Sequence, residues 1–562
     1  MSKQWLQHVW ELTPRFLTSR RLPLWLVWRR SLNSLKNLYR YTPFYRWTLP
    51  TQANLTVSAS FRDLWPGYPQ KGSEILAGTS SCGSLKIAYQ NLWKNPTVPD
   101  YFWRDFHGFR WLRDIKAVDG QPAYSFSKQV ISDWLHHYQH IKGIAWEPSV
   151  AAERLNEWIN CLSWFSREND PEFLAVFMLQ IKRHWIHLKR CLPGNLFGYQ
   201  LLRSIKTLLR GWLLLNEQLD TPRYFFRLFE EELSRQILHA DGYIERCPSH
   251  QLYVLEDLID LCAAFADNNQ DVPLSWQESL TKLAAATFYL QQPDGGLPSF
   301  NGSTHEDPRL VRQILAATGL NPQELPAIQQ AHMGGYCRLE ANQTVLILDT
   351  GVLPPPPYDH DMHAGALSFE LAVGFEPMIV NCGHHPASAW QDVQRSTAAH
   401  STLVIADTNS CFLGKKGGVI KGPNSVQCQR QEENGNIWLE AVHDGYKKMF
   451  GAIHTRRLYL ANHGFDLRGE DSVKSAGGHK LVVRFHLHPA VAVHIESAQQ
   501  QAVLQLPSGQ IWHLRTTTGD VIAEESVYLG KDGTLEKSQQ LVITNLPTNP
   551  EITIKWALTK SV

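Results

Sequence analysis

No run of 18 consecutive apolar residues occurs in this chain, and Met1 to Glu11 lack the apolar centre of a secretion signal. Both absences argue against a membrane-spanning helix and against a simple exported scavenging enzyme. An excess of one charge is also missing. Lys and Arg number 54 against 53 Asp and Glu, a formal net charge of +1, so the whole chain has no electrostatic case for binding nucleic acid. The nine Cys are scattered, odd in number and contain no CxxC pair. That pattern fits a reducing compartment better than a disulfide framework. Walker-type loops, GxGxxG, GxSxG and HExxH are absent as well. Asp294-Gly295-Gly296 and Lys416-Gly417-Gly418 lack the strand-loop-helix setting that cradles phosphate. Nucleotide-driven chemistry, serine hydrolysis and helical zinc proteolysis are therefore disfavoured.

What the chain does have is an ordinary globular composition, 43% hydrophobic and 19% charged over 562 residues, enough for two or three domains. Its 20 Trp beside 23 Phe and 18 Tyr are an unusual supply of flat rings. Such rings suit sugar faces, yet large aromatics dominate buried area, and most are expected in the core. Residues 1–50 stand apart, with nine Lys or Arg and one acid, a local excess of +8. Leu22, Leu24, Trp25, Leu26, Val27 and Trp28 alternate there with Arg20, Arg21, Arg29, Arg30, Lys36, Arg40 and Arg46. Two readings follow: a basic amphipathic helix peripheral to an anionic membrane, or a basic helix docked on its own domain.

Two rhythms divide the remainder. From about residue 125 to 320 apolar residues recur at helical spacing, as in Val150, Leu155, Trp158, Ile159 and Leu162 after Pro148-Ser149. Phe173 to Leu188 and Leu201 to Trp212 repeat the pattern, and further helical stretches cover about 223–240, 251–266, 276–292 and 308–317. Long helices joined by short connections imply stacked hairpins, because each apolar stripe needs a neighbour. Periodicity alone leaves bundle, solenoid and toroid open. After about residue 335 the runs become short and β-rich: Thr344–Leu348, Leu367–Leu371, Met378–Val380, Thr402–Ile405, Ile437–Ala441, Leu458–Leu460, Leu481–Phe485, Ala490–Ile495 and Leu541–Ile543. Turn-formers such as Asn434-Gly435-Asn436 separate them, which predicts an antiparallel sandwich.

Chemistry-bearing residues cluster where strands are expected to end. Asp359, His360, Asp361, Met362 and His363 follow the stiff Pro354 to Pro357 segment; Asn381, Cys382, Gly383, His384 and His385 come next; His400 precedes Ser401. Imidazole with carboxylate suits proton transfer or a divalent transition metal. In the helical half, Asn195 follows Pro193-Gly194, and Glu245, Arg246 and His250 surround Cys247-Pro248. Trp146-Glu147 precedes Pro148. Capping and local ion pairing explain much of these helix-start patterns, and presentation of Trp146, Glu147, Glu245 and Arg246 to a substrate is the functional alternative.

The run His363-Ala364-Gly365-Ala366-Leu367-Ser368-Phe369-Glu370-Leu371, then Val380-Asn381-Cys382-Gly383 and Arg395 to Leu403, resembles the heparinase II/III-like polysaccharide lyase family. Leu64-Trp65-Pro66-Gly67, His107 to Leu112 and Gly143 to Pro148 are similar to the N-terminal half of its bacterial members. The resemblance spans about residues 50–490. It implies an α+β multidomain chain with an incomplete (α/α) toroid over 51–320 and an antiparallel β-sandwich over 335–562, after the basic segment 1–50. It also implies β-elimination on an acidic, uronate-containing polysaccharide.

In that family an Asn or His neutralises the uronate carboxylate, a Tyr and a His transfer protons, and a His/Asp/His set often holds a metal. Carried onto this sequence, the resemblance implies Asn195 for carboxylate neutralisation and His250 at the Tyr position as base. Asp361 stands at the proton-donating His, and His363, Asn381 and His400 make the metal side. Several of these are departures: Leu196 stands where a His accompanies the Asn, Gly365 where an Asp is familiar, and Asn381 where the metal-binding Asp belongs. A neutral Asn weakens a zinc site, so no cofactor is required by the sequence, and a divalent metal such as zinc is the one the resemblance implies. The expected activity is that of a carbon-oxygen lyase acting on polysaccharides. The competing expectation is non-catalytic polysaccharide recognition in envelope or exopolysaccharide assembly. The expected partner is an acidic polysaccharide and not nucleic acid, in the cytoplasm or at the inner membrane surface.

Overall fold

In the computed structural model, residues 24–561 are described apart from 41, 53–58, 60, 83–84, 89–97, 169, 216–221, 239–241, 326–331, 386–389, 416, 475–477, 497–499, 531–532 and 547–548. The opening part of the basic segment, including Met1 to Glu11, Arg20, Arg21 and Leu22, lies outside them. The chain forms two compact units, one of them holding Leu22–Gln236 and Tyr253–Leu280 and the other Ile237–Leu252 and Thr281–Val562. The division is not a single cut in the sequence. A short excursion, 237–252, joins the second unit before the chain re-enters the first.

The helical unit is the incomplete toroid, built from antiparallel helices that include Asp100–Gly108, Gly120–His137, Pro148–Ser166, Pro171–Cys191, Gly198–Leu215 and Arg223–Gln236. Proline marks several starts, at Pro148 and Pro171, where its missing amide removes a donor that would have no partner in the first turn. Asp170 caps the second of these helices, accepting from the Phe173 amide at 3.1 Å. Much of the tryptophan is spent inside this unit. Trp134, Trp158, Trp164 and Trp185 are almost wholly buried. Trp134 and Trp158 meet edge to face at 6.0 Å, and the Arg154 guanidinium lies 4.2 Å from the Trp134 ring centre. Arg154 is held between these rings and the His107 carbonyl, to which it donates at 2.8 Å.

The described part of the basic segment is helix Leu24–Arg40. Arg29 donates to the carbonyls of Gly194 at 2.6 Å, Pro193 at 3.0 Å and Leu196 at 2.9 Å. Arg40 donates to the Arg190 carbonyl at 2.6 Å. These two arginines thus serve the docked-helix arrangement. Among the described residues, no helix is long and apolar enough to cross a membrane.

Two antiparallel sheets make the second unit. One runs in the order Val521–Leu529, Leu535–Asn545, Leu481–Leu487, Glu376–Val380, Phe369–Val373, Thr344–Asp349, Tyr336–Ala341, His332–Met333, with Leu403–Ile405 also beside Leu481–Leu487. The other runs Val426–Glu433, Asn436–His443, Ile453–Leu460, Asp466–Lys474, Glu551–Lys560, Ile511–Thr516, Gln501–Gln505, Ala492–Ile495. Strands of the second sheet alternate buried with partly buried or exposed residues, as in Ile453–Leu460, because one face meets the core and the other is turned toward water. Leu346, Phe369, Leu371 and Phe485 of one sheet share a core with Leu439, Leu458, Trp512 and Trp556 of the other. Gly469 is required here: a Cβ on it would lie 2.0 Å from the Trp556 ring.

Thr344–Asp349 and Phe369–Val373 do not alternate; every residue is buried. Their sheet is covered on its second face by the end of the helix at Tyr289 and the loop beyond it. Tyr289 accepts from the Arg338 amide at 2.8 Å, and Ser299 donates its amide to Glu370 at 3.1 Å. This covered face carries the candidate site.

Candidate functional site

Pro248 opens a helix whose third residue is His250, and the turn before it is fixed by Arg246. Arg246 has a positive φ of 53° and lies nearly buried. Its guanidinium is ion-paired with Asp349 and donates to the carbonyls of Gly351 and Val352 at 3.2 Å each and of Gly335 at 3.2 Å. Asn301 and Tyr336 both donate to the Arg246 carbonyl. Every part of Arg246 is therefore engaged in holding the turn, and the cation offered to substrate in the sequence reading is a bolt that orients its neighbours Glu245 and Cys247. Ser249 ties the same turn to the loop above it through Ser303, with the hydroxyls 2.9 Å apart.

The chemical consequence is a carboxylate–imidazole dyad. His250 Nδ1 lies 2.9 Å from Glu245 Oε2, and His250 Nε2 points to Asp361 Oδ2 at 4.0 Å. Burial alone would lower the pKa of His250, but contacts with Cys247 and Glu245 outweigh it and hold the imidazole well above its ordinary value. Asp361 in turn binds His360 Nδ1 at 2.8 Å. Burial works to raise Asp361, yet His360 and His250 keep its carboxyl far below the usual carboxylate range. Asp361 is thus an ionised group near neutral pH. Asp361 packs on Gly302, where a Cβ would come within 2.8 Å of it. Arg395 anchors the surrounding turn by donating to the carbonyls of Met362, Gly414 and Gly418 at 3.2, 3.0 and 2.9 Å.

Deeper lies a line of neutral imidazoles. His400 Nδ1 donates to the Ser396 carbonyl at 2.7 Å, which leaves Nε2 as an acceptor. His363 Nδ1 meets that nitrogen at 3.1 Å, so its own Nε2 carries a lone pair, buried and without a hydrogen-bond partner among the described residues. The His384 ring centre is 5.4 Å from that of His363. Burial pushes His384 and His400 down to about 4, and burial with its imidazole neighbours holds His363 well below its ordinary value. Gly365 makes room for the pair, since a Cβ there would stand 2.8 Å from His400 Cδ2.

Asn381 is directed elsewhere. Its amide nitrogen donates to Glu370 at 3.2 Å and its oxygen accepts from the Ser401 amide at 3.0 Å. Burial pushes Glu370 up to about 7. The three residues of the implied metal side do not form a three-donor cradle, because the two imidazoles bond to each other and the Asn amide is committed to Glu370 and Ser401.

The remaining sequence-derived candidates belong to the helical unit. Asn195 sits exposed on the loop that Arg29 clamps, with its side-chain oxygen accepting from Asn33 at 2.9 Å. Trp146 is buried, stacked on His184 at 4.6 Å, and donates to the Tyr138 carbonyl at 2.9 Å. Glu147 occupies the N-cap position of helix Pro148–Ser166 and is ion-paired with Arg104. In these placements Trp146 works as core and Glu147 as a helix-start acid. A cluster absent from the sequence reading lies in the same unit. Arg203 meets Asp257 at 2.8 Å, Lys206 reaches Asp257 at 2.9 Å and Asp260 at 2.8 Å, and Arg113 meets Glu157 at 2.9 Å. Its members come from different helices at turn spacing, a pattern equally typical of solvated helix faces, so the sequence carried no distinguishing signal.

Comparison with known proteins agrees with this architecture. Residues 123–324 match the Heparinase II/III N-terminus family and residues 323–557 match the family Heparinase II/III-like, C-terminal. The crystal structure of heparinase III superposes with a TM-score of 0.70 at 15% identity, covering 92% of this chain and 88% of that one. Heparan sulfate lyase HepC from Pedobacter heparinus gives a TM-score of 0.56 at 15% identity, covering 95% and 87%. A sequence relative, FtsZ-localized protein C of Caulobacter vibrioides (strain NA1000 / CB15N), is 27% identical over 532 residues, 90% of each chain. With its toroid, its β-sandwich and both family patterns present in order, the chain belongs to the heparinase II/III-like family, whose fold is that of polysaccharide lyases.

Proposed function

We propose that this protein is a polysaccharide lyase that cleaves a uronate-containing bacterial glycan by β-elimination, with His250 as the proton-transfer residue. The observation that carries the reading is the Glu245–His250 dyad, with Nδ1 2.9 Å from Glu245 Oε2 and Nε2 4.0 Å from Asp361 Oδ2. In its neutral form His250 takes the proton from C5 of the uronate. The electron pair of the C5–H bond forms the C4–C5 double bond, and the C4–O4 bond breaks. The imidazolium then returns the proton to the departing oxygen, so one group serves both steps and atoms balance. Glu245 keeps the tautomer with Nδ1–H and the lone pair on Nε2, while Asp361 stabilises the imidazolium as it forms. Asp361, being ionised, is not assigned the donation of a proton. For Asn195 the proposed role is neutralisation of the uronate carboxylate, supported by its exposure and its family position.

A second reading, non-catalytic polysaccharide recognition, is favoured by one specific observation: His250 is held in its charged form between two carboxylates, which suits charge recognition better than base catalysis at neutral pH. Purified protein incubated with a panel of acidic bacterial polysaccharides separates the two. New 4,5-unsaturated uronate ends support the lyase, saturated ends indicate hydrolysis, and saturable binding without cleavage supports recognition alone.

A further inference from the structure

Outside the site just described, the second unit contains a different chemical cluster. His332, Cys337 and Cys428 bring one imidazole nitrogen and two sulfurs within 4.8 Å of one another, and they are the residues among those described that gather three such ligand atoms. We propose that these three side chains form a thiolate–imidazole site for a zinc ion, joining the edge strands of the two sheets.

The topology assembles this group from both sheets. His332 and Cys337 are direct cross-strand partners in a tight hairpin closed by Gly334 and Gly335, whose φ values are 62° and 78°. Directly paired residues on an antiparallel ladder project to the same face. The hairpin ends the nine-stranded sheet at His332–Met333. Cys428 lies on Val426–Glu433, which ends the eight-stranded sheet. Its strand alternates at this end, with Val426, Cys428 and Arg430 partly buried and Gln427 and Gln429 exposed, so the thiol faces inward. Both His332 and Cys337 have hydrogen-bonding contact with Cys428. Cys337 is fully buried, whereas His332 and Cys428 are only partly so. That gradient leaves the outer side accessible for a water as the fourth ligand.

The donor set selects the ion. Two sulfurs and one imidazole suit zinc, and are a poor match for magnesium or calcium, which take oxygen ligands. Uptake is balanced as Zn²⁺ replacing two thiol protons, which leaves a neutral Zn(S)₂N centre with water. That neutrality matters because the Arg430 side chain is close enough for its charge to act on both His332 and Cys337. A site with a residual positive charge would be repelled by the guanidinium; the neutral dithiolate is not. The structural effect is a clamp between two strands that are otherwise at the free edges of their sheets.

The test uses the full chain, purified under reducing conditions, stripped with a chelator and titrated with Co²⁺ alone, then with Zn²⁺ as competitor. The expected result is one equivalent of Co²⁺ giving a sulfur-to-cobalt charge-transfer band, displaced by Zn²⁺. Cys428→Ser should abolish the band, and His332→Ala should weaken binding by more than the roughly 10–100-fold that outer-sphere changes cost. Circular dichroism confirms that each variant is folded, and His363→Ala, which touches the other imidazole cluster, should leave the band intact. No band in the reduced wild-type protein overturns the proposal, as does a band that survives in folded Cys428→Ser or disappears in His363→Ala. Ready closure of a Cys337–Cys428 disulfide with no metal uptake by the reduced form also overturns it, and assigns the pair to redox chemistry instead.

Discussion

Replacing Glu245 by Gln isolates the electrostatic half of the dyad while keeping an acceptor opposite His250 Nδ1. His250 and Glu245 are only 10% and 14% exposed at their side chains, so solvent screens their contact weakly. A hydrogen bond to a charged group contributes about 1.5–3 kcal/mol, and that is the scale of the loss expected where His250 is protonated. Direction follows from linkage. The folded imidazole is held above its unfolded value of about 6.5, so its stabilising contribution is complete below that pH and fades as pH rises through the folded value. The Gln variant should therefore be less stable than wild type in mildly acidic urea titrations, and the two curves should converge in alkaline buffer.

Turnover gives the complementary signature. Base catalysis needs the neutral imidazole, so under the proposed elimination kcat/KM should rise with pH through the raised His250 value in the wild-type protein. With the carboxylate gone, Cys247 alone of the two named contacts still holds His250 up against burial, and the rising limb should move to lower pH. The plateau should fall as well, because the imidazole that titrates lower is the weaker base. Steady-state rates from the absorbance of unsaturated uronate, together with an NMR titration of His250, measure both effects. An unshifted limb with an unshifted His250 titration would refute the coupling between these two residues.

Removal of the imidazole altogether, His250→Ala, should lower turnover by roughly 10²–10⁴-fold while glycan affinity, read by calorimetry, changes far less. In the helical unit Lys206 is about 2% exposed and faces both Asp257 and Asp260. Lys206→Met should destabilise the protein in urea unfolding by less than the roughly 3–5 kcal/mol of an orphaned buried charge, because Asp257 keeps Arg203 and Asp260 keeps Arg210 and Trp65. In the sandwich, burial would raise the carboxyl of Asp471, but Arg456 and His454 hold it far below the ordinary range. Its contribution is present above about pH 3.9 and is lost as pH falls through the folded value, so Asp471→Asn should flatten the acid limb of the thermal stability profile. Gly469→Ala should lower the melting temperature, since the new methyl would lie 2.0 Å from the Trp556 ring and overpacking costs typically about 1–3 kcal/mol.

The change from helical to strand rhythm was legible because the helices bury stripes and the first strands are nearly continuous apolar runs. Thr344–Asp349 and Leu481–Leu487 stand almost where Thr344–Leu348 and Leu481–Phe485 were expected. The strand expected from Leu367 begins instead at Phe369, because Leu367 has a φ of 57° and turns the chain before the ladder starts. Glu551–Lys560 and Val521–Leu529 escaped the sequence reading since their outer faces carry Lys, Glu and Thr, which mask a period-two pattern. Closure of the helices into a toroid was not readable from spacing at all. It came from motif resemblance, as periodicity says which face is buried and not which neighbour buries it.

The site residues divide along a similar physical line. His363 and His400 are 37 positions apart yet in contact at 3.1 Å, and their meeting depends on strand register, with Arg456 donating to the Ser401 carbonyl at 3.0 Å just beyond His400. Glu245 and His250, by contrast, are five positions apart across one helix start, so local sequence brought them together. The sequence pattern made Arg246 look equally available, being adjacent to Glu245. Its removal from the surface depends on Asp349, Gly335 and Gly351, all about a hundred residues onward. Two neighbouring charged side chains thus take opposite roles because one of them meets a distant strand end. The same strand end, by holding Arg246, fixes the backbone of the turn from which Glu245 projects toward His250, so the β-sandwich takes part in placing the dyad beside the helix that bears it.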